Sequence, residues 1–388
     1  MYTVRAKRKE LTVVLCAVVL AAIIAILYLH YSRPHPGKTA LRGRLSAAKR
    51  ALPATPNREL YNAKMLALAK LSPRTGCSQA SAAISSPDRA RVYRAVAASG
   101  STRAVTKDAV FHPCPAPLWP VRAPYPEAGA VLPFKRIVAY YGNFYSRRMG
   151  VLGEYSPDKM LSMLASTVKE WAAADPSTPV VPALDYIAVA AQNVPWKDGK
   201  YRFRMPSKQI DKAISMGDQI HGLVFLDVQP GWSTVEAEVL PLAPYLKRPN
   251  VELALDPEFA LTEGKRPGAW FGTMNAADIN LAARFLARIV RENHLPPKIL
   301  VVHRFTERMV TDFHAIKPLP EVQIVMDMDG FGAPSLKTHT YKAYIARQPV
   351  QFTGFKLFYK NDVKIGGALM TPAQVLSLSP QPSFILYQ

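Results

Sequence analysis

Short apolar runs alternate with helix-like segments through the last two-thirds of the chain. Eight such runs can be read from the sequence, and most of them end in a polar side chain: Arg136–Asn143, Val180–Asp185, Gly222–Gln229, Val251–Glu258, Ile299–His303, Val322–Asp329, Phe352–Phe358 and Phe384–Tyr387. Strand and helix alternating through eight strands is the plan of a (β/α)8 barrel, or TIM barrel. We therefore predict an α/β fold with a TIM barrel in residues 131–388.

The segments between the runs carry helix signals. Ser156-Pro157-Asp158 supplies a capping residue, a proline at the first helical position and an acid in the first turn. The other helices that we predict are Pro206–Ile220, Thr234–Tyr245, Asn275–Asn293, Thr306–Ile316, Ser335–Arg347 and Thr371–Leu378. No helical pattern follows the eighth run. We therefore expect a barrel that lacks a final helix, with the N-terminal region covering that flank.

Positive charge is concentrated ahead of the predicted barrel. The chain has a formal net charge of +21, and residues 1–133 hold 20 Lys/Arg against 5 Asp/Glu. A nucleic-acid enzyme would carry such charge on its reactive face, so no nucleic-acid partner is expected. The basic region either faces an anionic surface, such as lipid headgroups or acidic wall polymers, or is simply solvated.

The most apolar stretch of the chain, residues 11–29, has no charged residue and is long enough to cross a bilayer as a helix. Basic residues precede it, at Arg5, Lys7, Arg8 and Lys9. The positive-inside rule then places residues 1–10 in the cytoplasm and the rest outside. A cleavable signal peptide is the alternative, but no small-x-small cleavage site follows. We predict a single-pass anchor, followed by a basic stalk or barrel-covering arm in residues 30–130.

Two of the three cysteines follow the predicted anchor. Cys16 lies within the apolar stretch, whereas Cys77 and Cys114 lie in the region expected outside the cytoplasm. An oxidising compartment permits a disulfide between them. We predict that disulfide, with free thiols as the alternative.

Polar residues gather at the ends of the predicted strands. Residues two apart share a face of a strand, and on one face small or apolar residues precede Tyr141 and Asn143, Asp185, Asp227 and Gln229, Asp256 and Glu258, His303, Asp327 and Asp329, and Lys356. The carboxyl ends of barrel strands meet at the face where active sites lie. The sequence therefore predicts an acidic pocket at that face.

Paired carboxyl groups indicate glycosidic bond hydrolysis, which needs one protonated acid and one ionised base or nucleophile. We predict Glu258 as the proton donor and Asp227 as nucleophile or base, with Asp329 and Asp256 as further catalytic candidates. The predicted substrate-binding residues are Tyr141, Asn143, Asp185, Gln229, Trp232, Trp270, His303, Asp327, Lys356 and Tyr359. No cofactor or metal is expected.

Several of these residues have a structural explanation as well. Asp185 is suited to capping the segment after its strand. Asp256-Pro257-Glu258 is compatible with a turn whose acids pair with Lys356 or Arg304. Asp327 and Asp329 together are suited to a divalent cation, which prefers carboxylate oxygens.

Four segments carry a family resemblance. Ile137–Asn143 (IVAYYGN), Phe225–Gly231 (FLDVQPG), Leu253–Phe259 (LALDPEF) and Met326–Gly332 (MDMDGFG) resemble glycoside-hydrolase-like TIM barrels of exported bacterial proteins. Barrel hydrolases with paired catalytic glutamates carry them after the fourth and seventh strands, and the resemblance implies that Glu258 is the first of the pair. After the seventh strand the chain has Lys356 instead of a second acid.

The resemblance and the acidic strand ends together give a functional hypothesis. We expect a membrane-anchored, extracytoplasmic hydrolase that acts on a polysaccharide or glycan. The alternative is a non-catalytic barrel that binds cell-wall or capsular polysaccharide.

Overall fold

The computed structural model describes residues 57–71 and 117–388. Several predictions fall outside these ranges, namely the cytoplasmic segment and membrane anchor at residues 1–29, the disulfide between Cys77 and Cys114, and most of the stalk or arm at residues 30–130. Within the two described ranges, none of the helices combines the length and apolar character that a bilayer crossing requires.

Eight parallel strands close into a barrel. They are β1 Arg136–Gly142, β2 Val180–Ala191, β3 Leu223–Val228, β4 Val251–Leu255, β5 Lys298–Arg304, β6 Val322–Met328, β7 Phe352–Leu357 and β8 Phe384–Tyr387. Each strand pairs in parallel with the next, and β1 pairs with both β8 and β2. The TIM barrel predicted from the sequence is confirmed. Strand β2 is longer than expected, because Val189–Ala191 pairs antiparallel with a short strand, Arg202–Arg204.

Ten α-helices lie in the described residues. They are α1 Arg58–Leu68, α2 Val151–Glu154, α3 Pro157–Ala174, α4 Ser207–Gln219, α5 Val235–Val239, α6 Ala243–Leu246, α7 Ala276–Asn293, α8 Pro334–Tyr341, α9 Asn361–Gly366 and α10 Pro372–Leu376. Helix α7 begins with the reciprocal hydrogen bonds of a capping box between Asn275 and Asp278. Helix α3 begins at Pro157, as its sequence signal predicts.

The prediction of a helix at Thr306–Ile316 was wrong. Two 3-10 turns, Glu307–Met309 and Phe313–Ala315, lie on either side of a short strand, Val310–Thr311. Asp312 between them has a φ of 55°, a left-handed conformation that an α-helix does not contain. The predicted helix Thr234–Tyr245 is divided into α5 and α6 by a 3-10 turn, Leu240–Leu242.

The proline-rich segment before β1 contacts the end of the barrel where the strands begin. Gln323, fully buried at the start of β6, donates from Nε2 to the carbonyl of Leu132 and accepts from the amides of Val131 and Leu132. Helix α1 binds the neighbouring loops, where Gln381 donates its amide to the carbonyl of Leu68 at 2.7 Å. These contacts place α1 and the proline-rich segment against the end of the barrel where the strands begin.

The barrel wall between β8 and β1 is packed by aromatic side chains. Trp171 of α3 is fully buried and donates from Nε1 to the hydroxyl of Tyr387 at 2.9 Å. The guanidinium of Arg136 lies over the Trp171 ring, 5.8 Å from its centre. Helices α3 and α10 contact each other beside these residues. The ring of helices thus closes at this wall through α3 and α10.

Candidate active site

A cleft of about 570 Å³ opens at the carboxyl ends of the strands. Polar side chains from five strand ends line it, namely Tyr141, Gln229, Asp256, Glu258, Asp329 and Lys356. A second group lies beneath them, with side chains at most 1% exposed: Asp185, Asp227, His303 and Asp327. The predicted strand-end residues therefore form an upper tier that contacts the cleft and a lower tier that is sealed inside the barrel.

Glu258 is placed by a tight turn at the end of β4. Asp256 begins the 3-10 turn Pro257–Phe259, and its Oδ1 accepts from the amide of Glu258 at 3.2 Å. The amide of Gly272 donates to the carbonyl of Glu258 at 2.6 Å. A side chain at position 272 would overlap the carbonyls of Pro257 and Ala260, so this close approach requires glycine. The Glu258 carboxyl is thereby held in the wall of the cleft.

The environment of Glu258 favours its neutral form. Burial, followed by the negative charge of Asp329, raises the pKa of Glu258 from 4.5 to about 7, while Lys356 and His303 act in the opposite direction. A carboxyl group with this pKa is protonated in a large fraction of molecules at neutral pH. It can then donate a proton, as a general acid must.

Lys356 from β7 connects the other upper-tier groups. Its Nζ lies 3.0 Å from Oδ1 of Asp329 and 3.8 Å from the centre of the Tyr141 ring. Burial alone would lower the pKa of Lys356, but the charges of Asp329 and Asp256 raise it. Lys356 is therefore a buried cation at neutral pH, and it forms an ion pair with Asp329 beside the cleft.

The lower tier surrounds His303 with carboxyl groups. Nδ1 of His303 lies 3.0 Å from Oδ2 of Asp327, and Nε2 lies 3.8 Å from Asp185 and 3.9 Å from Asp227. Burial alone would lower the pKa of His303, but the hydrogen bond with Asp327 and the charges of Asp329 and Asp227 raise it to about 10. Burial raises the pKa of both Asp185 and Asp227. An imidazolium thus lies at the centre of this tier.

Asp227 does not contact the cleft, so its position does not fit the predicted role of nucleophile or base. Its carboxyl is fully buried, and Oδ2 accepts from the hydroxyl of Tyr141 at 2.7 Å. Gln229 donates from Nε2 to the same hydroxyl at 3.0 Å. Tyr141 and Gln229 therefore lie between Asp227 and the cleft.

Several predicted substrate-binding residues also lie away from the cleft. Asn143 shapes the loop after β1, since it donates to the carbonyl of Ile187 and accepts from the amide of Tyr145. Trp232 donates to the carbonyl of Lys265 and so fixes a neighbouring loop. The hydroxyl of Tyr359 lies 3.0 Å from that of Tyr140, in the aromatic layer outside the barrel. The indole of Trp270 is 57% exposed and does not line the cleft.

Sequence reasoning missed an aromatic wall. The cleft is also lined by five phenylalanines, together with Arg148, Met149 and Asn193: Phe259, Phe271, Phe305, Phe331 and Phe358. A signal was present for four of them, because each lies one or two residues beyond a polar strand end, as Phe305 does beyond His303. Phe271 lies far along the loop after β4, where no local pattern marks it.

The structural roles considered for Asp256, Asp185 and the acid pair Asp327 and Asp329 can be compared with their contacts. The turn at Asp256 forms, but Asp256 and Glu258 form no salt bridge with Lys356 or Arg304, whose guanidinium donates to the carbonyls of Glu307 and Val310. Asp185 caps no element, since in the described ranges neither of its carboxylate oxygens accepts a hydrogen bond. Across residues 57–71 and 117–388, no three acidic, histidine or cysteine side chains are arranged as ligands of one metal ion.

Comparisons with known proteins give a distant likeness. No family model matches the chain, and no curated protein matches its sequence. Among solved structures, the Bacillus subtilis mannanase man26 is 12% identical, with 66% of this chain and 79% of that chain covered at a TM-score of 0.34. The mannanase BCman, also from Bacillus subtilis, is 11% identical, covering 66% and 80% at 0.31. GH26C from Muricauda sp. MAR_2010_75 is 10% identical, covering 65% and 70% at 0.27.

Likenesses of this size leave the family of the chain open. The barrel assignment rests on the strand pairing of the chain itself, and the chemistry rests on its own side chains.

Proposed function

We propose that this protein is a membrane-anchored, extracytoplasmic glycoside hydrolase that acts on a polysaccharide or glycan. One observation carries the proposal. Glu258, a carboxyl group with a pKa of about 7, lies in the wall of an open cleft that Asp329 also lines. Hydrolysis of a glycosidic bond needs a protonated carboxylic acid and an ionised carboxylate around the same bond.

Within this proposal, Glu258 donates the proton to the leaving oxygen. Asp329 takes the second role in place of Asp227, because it lines the cleft and forms an ion pair with Lys356. It acts either as nucleophile or as the base that activates water. Asp256 positions Glu258 through the turn that the two residues share.

The remaining wall of the cleft suits a sugar chain. Phe305, Phe331 and Phe358 offer flat apolar surfaces, and Gln229, Asn193 and Tyr141 offer hydrogen-bonding groups among them. Binding sites for small organic molecules and sugars combine apolar walls with a few polar groups in this way. The membrane anchor and the extracytoplasmic location come from the sequence of residues 1–29, and they remain part of the proposal.

A second candidate function is a barrel that binds polysaccharide without cleaving it. The ion pair between Lys356 and Asp329 favours this alternative, because it engages both oxygens of Asp329 at distances of 3.0 and 3.2 Å. Attack by Asp329 on a sugar carbon would require Lys356 to give up part of that contact.

Turnover by the full chain separates the two functions. The detergent-solubilised protein would be assayed on a panel of plant, wall and capsular polysaccharides, beside Glu258→Gln and Asp329→Asn. Because general acid catalysis contributes about 10²–10⁴-fold, each variant should lose turnover by at least that lower factor. Glu263→Gln is the matched control, since Glu263 is an exposed acid on the same loop that does not line the cleft. Polysaccharide binding without turnover, with the binding unchanged in both cleft variants, would favour the non-catalytic barrel.

The proposed location has its own test. Protease added to intact cells should digest the barrel if it lies outside the membrane, while lysis should be required if it lies in the cytoplasm. Digestion only after lysis would contradict the extracytoplasmic part of the proposal and leave the chemistry of the cleft untouched.

A further inference from the structure

Exposed apolar side chains are concentrated around the mouth of the barrel. Of the thirteen large hydrophobic residues that are exposed in the described ranges, nine lie on the segments that follow β1, β2, β4, β6 and β7. The aromatic ones include Tyr145 after β1, Trp196 after β2 and Trp270 after β4. Contiguous exposed apolar surface on a monomer usually marks an interaction site. We call the segments after β1, β2, β4, β6 and β7 the mouth rim, namely residues 143–156, 192–201, 256–273, 329–336 and 358–366.

Aliphatic side chains accompany these aromatics. Val194 follows β2, Leu336 follows β6, and Val363 and Ile365 lie in α9 after β7, with Ile365 58% exposed. Sugar rings stack on aromatic faces, whereas branched aliphatic side chains gain most from an apolar environment. The mixture therefore favours a partner with hydrocarbon of its own.

Positive charge predominates on three segments of the rim. Three of its segments carry exposed basic residues in pairs: Arg147 and Arg148 after β1, Lys265 and Arg266 after β4, and Lys360 and Lys364 after β7. Glu263 is the one exposed acid on these three segments, all of which lie in the described range 117–388. Lys360 also contacts Glu154 at 2.6 Å. Lys265 lies 5.9 Å from the centre of the Trp270 ring, so cation and aromatic are presented together.

We infer that the mouth rim docks on an anionic lipid bilayer. Tryptophan and tyrosine prefer the headgroup level, aliphatic side chains enter the acyl boundary, and Lys/Arg clusters are attracted by anionic lipids. All three kinds of residue occur on this rim, and Arg148, Phe271 and Phe331 of the rim also line the cleft. The cleft would then receive glycans that are attached to lipid or lie close to the bilayer. This inference does not depend on hydrolysis, because its evidence lies outside the carboxyl groups.

Tryptophan quenching by brominated lipid tests the docking on the full chain. All five tryptophans lie in the described ranges, so residues 1–56 contribute no signal. The protein would be reconstituted in vesicles of phosphatidylcholine alone or mixed with phosphatidylglycerol, each with brominated acyl chains. We expect quenching in the mixed vesicles that is lost in the Trp196→Phe/Trp270→Phe double variant. Trp119→Phe is the matched control, since Trp119 binds the carbonyl of Ala346 away from the mouth rim.

Variants that remove basic residues test the electrostatic contribution to docking on the bilayer. Each basic residue near an anionic surface is worth about fivefold in the docking equilibrium, so Lys265→Gln/Arg266→Gln should reduce docking by about 25-fold. Quenching that persists in the double tryptophan variant and disappears in Trp119→Phe would overturn the inference. So would quenching that is equal in neutral and anionic vesicles. If a soluble anionic glycan shields Trp270 from solvent, and brominated lipid does not quench the tryptophan fluorescence, the rim binds a glycan instead of a bilayer.

Discussion

Nζ of Lys356 lies 3.0 Å from Oδ1 and 3.2 Å from Oδ2 of Asp329 at the edge of the cleft. This ion pair joins β7 to the end of β6, and its two charges shift the pKa of Glu258 in opposite directions. The charge of Asp329 raises the pKa of Glu258, and the charge of Lys356 lowers it. The protonation of the proposed acid therefore depends on two residues that neutralise each other.

Asp329→Asn should lower the pKa of Glu258 from about 7 toward its ordinary value of 4.5. The substitution removes a like charge and leaves Lys356 free to stabilise the ionised form of Glu258. Carbon NMR of the labelled glutamate carboxyl across a pH titration measures this directly. A Glu258 pKa that stays at about 7 would contradict this account, and Glu263→Gln supplies the unchanged reference.

Glu258→Gln should stabilise the protein at high pH and have little effect at low pH. Burial penalises the ionised carboxylate in the folded state, so the wild type loses stability as pH rises from 4.5 to about 7. The glutamine variant does not titrate. Above pH 7 the variant should therefore gain up to about 3 kcal/mol in free energy of unfolding, since each pKa unit corresponds to about 1.4 kcal/mol. Urea unfolding below pH 4.5 and above pH 7 tests the sign, and a gain that is equal at both ends would refute it.

Lys356→Met should destabilise the barrel by about 3–5 kcal/mol, the typical cost of leaving a buried charge without its partner. Asp329 loses its cationic partner, and the positive charge of Lys356 no longer offsets the negative charges of Asp256 and Asp327. The pKa of Glu258 should also rise above 7, because Lys356 lowers it in the wild type. Lys356→Arg keeps the charge and should lose less stability. Equal losses in both variants would indicate that packing, and not charge, is the main contribution of Lys356.

Gly354→Ala should disturb the hydrogen bond between His303 and Asp327. A Cβ at position 354 of β7 would overlap Oδ1 of Asp327, which must then move. We expect a loss of about 1–3 kcal/mol from the weakened buried hydrogen bond. The pKa of His303 should fall from about 10, because that hydrogen bond raises it. Nitrogen NMR of the imidazole reports the change, and Asp327→Asn should shift it in the same direction. An unshifted His303 would show that Asp327 adjusts without losing the contact.

The strands were predictable because their pattern is local. Apolar runs bounded by turn residues gave all eight barrel strands, and β8 begins and ends where the sequence indicates. The helix predicted at Thr306–Ile316 was wrong, although the apolar spacing of this segment fits a helix. Asp312 adopts a left-handed conformation among tertiary contacts. Local spacing does not report such a break.

The roles of the acids were harder to predict. The alternation of side chains along a strand shows which residues face the barrel interior, but not how deeply each one is buried. Asp227 and Glu258 look alike in the sequence, each following a run of apolar residues. Asp227 lies within β3 and faces the barrel interior, whereas Glu258 lies in the turn after β4. Asp185 appeared to end its strand, but β2 continues to Ala191 and leaves Asp185 deep inside.

The sequence by itself determined the barrel, the order of its strands and the side chains that gather at its carboxyl end. It did so because strand alternation and helix capping depend on neighbours in the chain. The tertiary structure alone decided which of those side chains contact the cleft and which are sealed beneath it. That division depends on where each strand ends relative to its neighbours, and it places Glu258 beside Asp329 while Tyr141 and Gln229 cover Asp227.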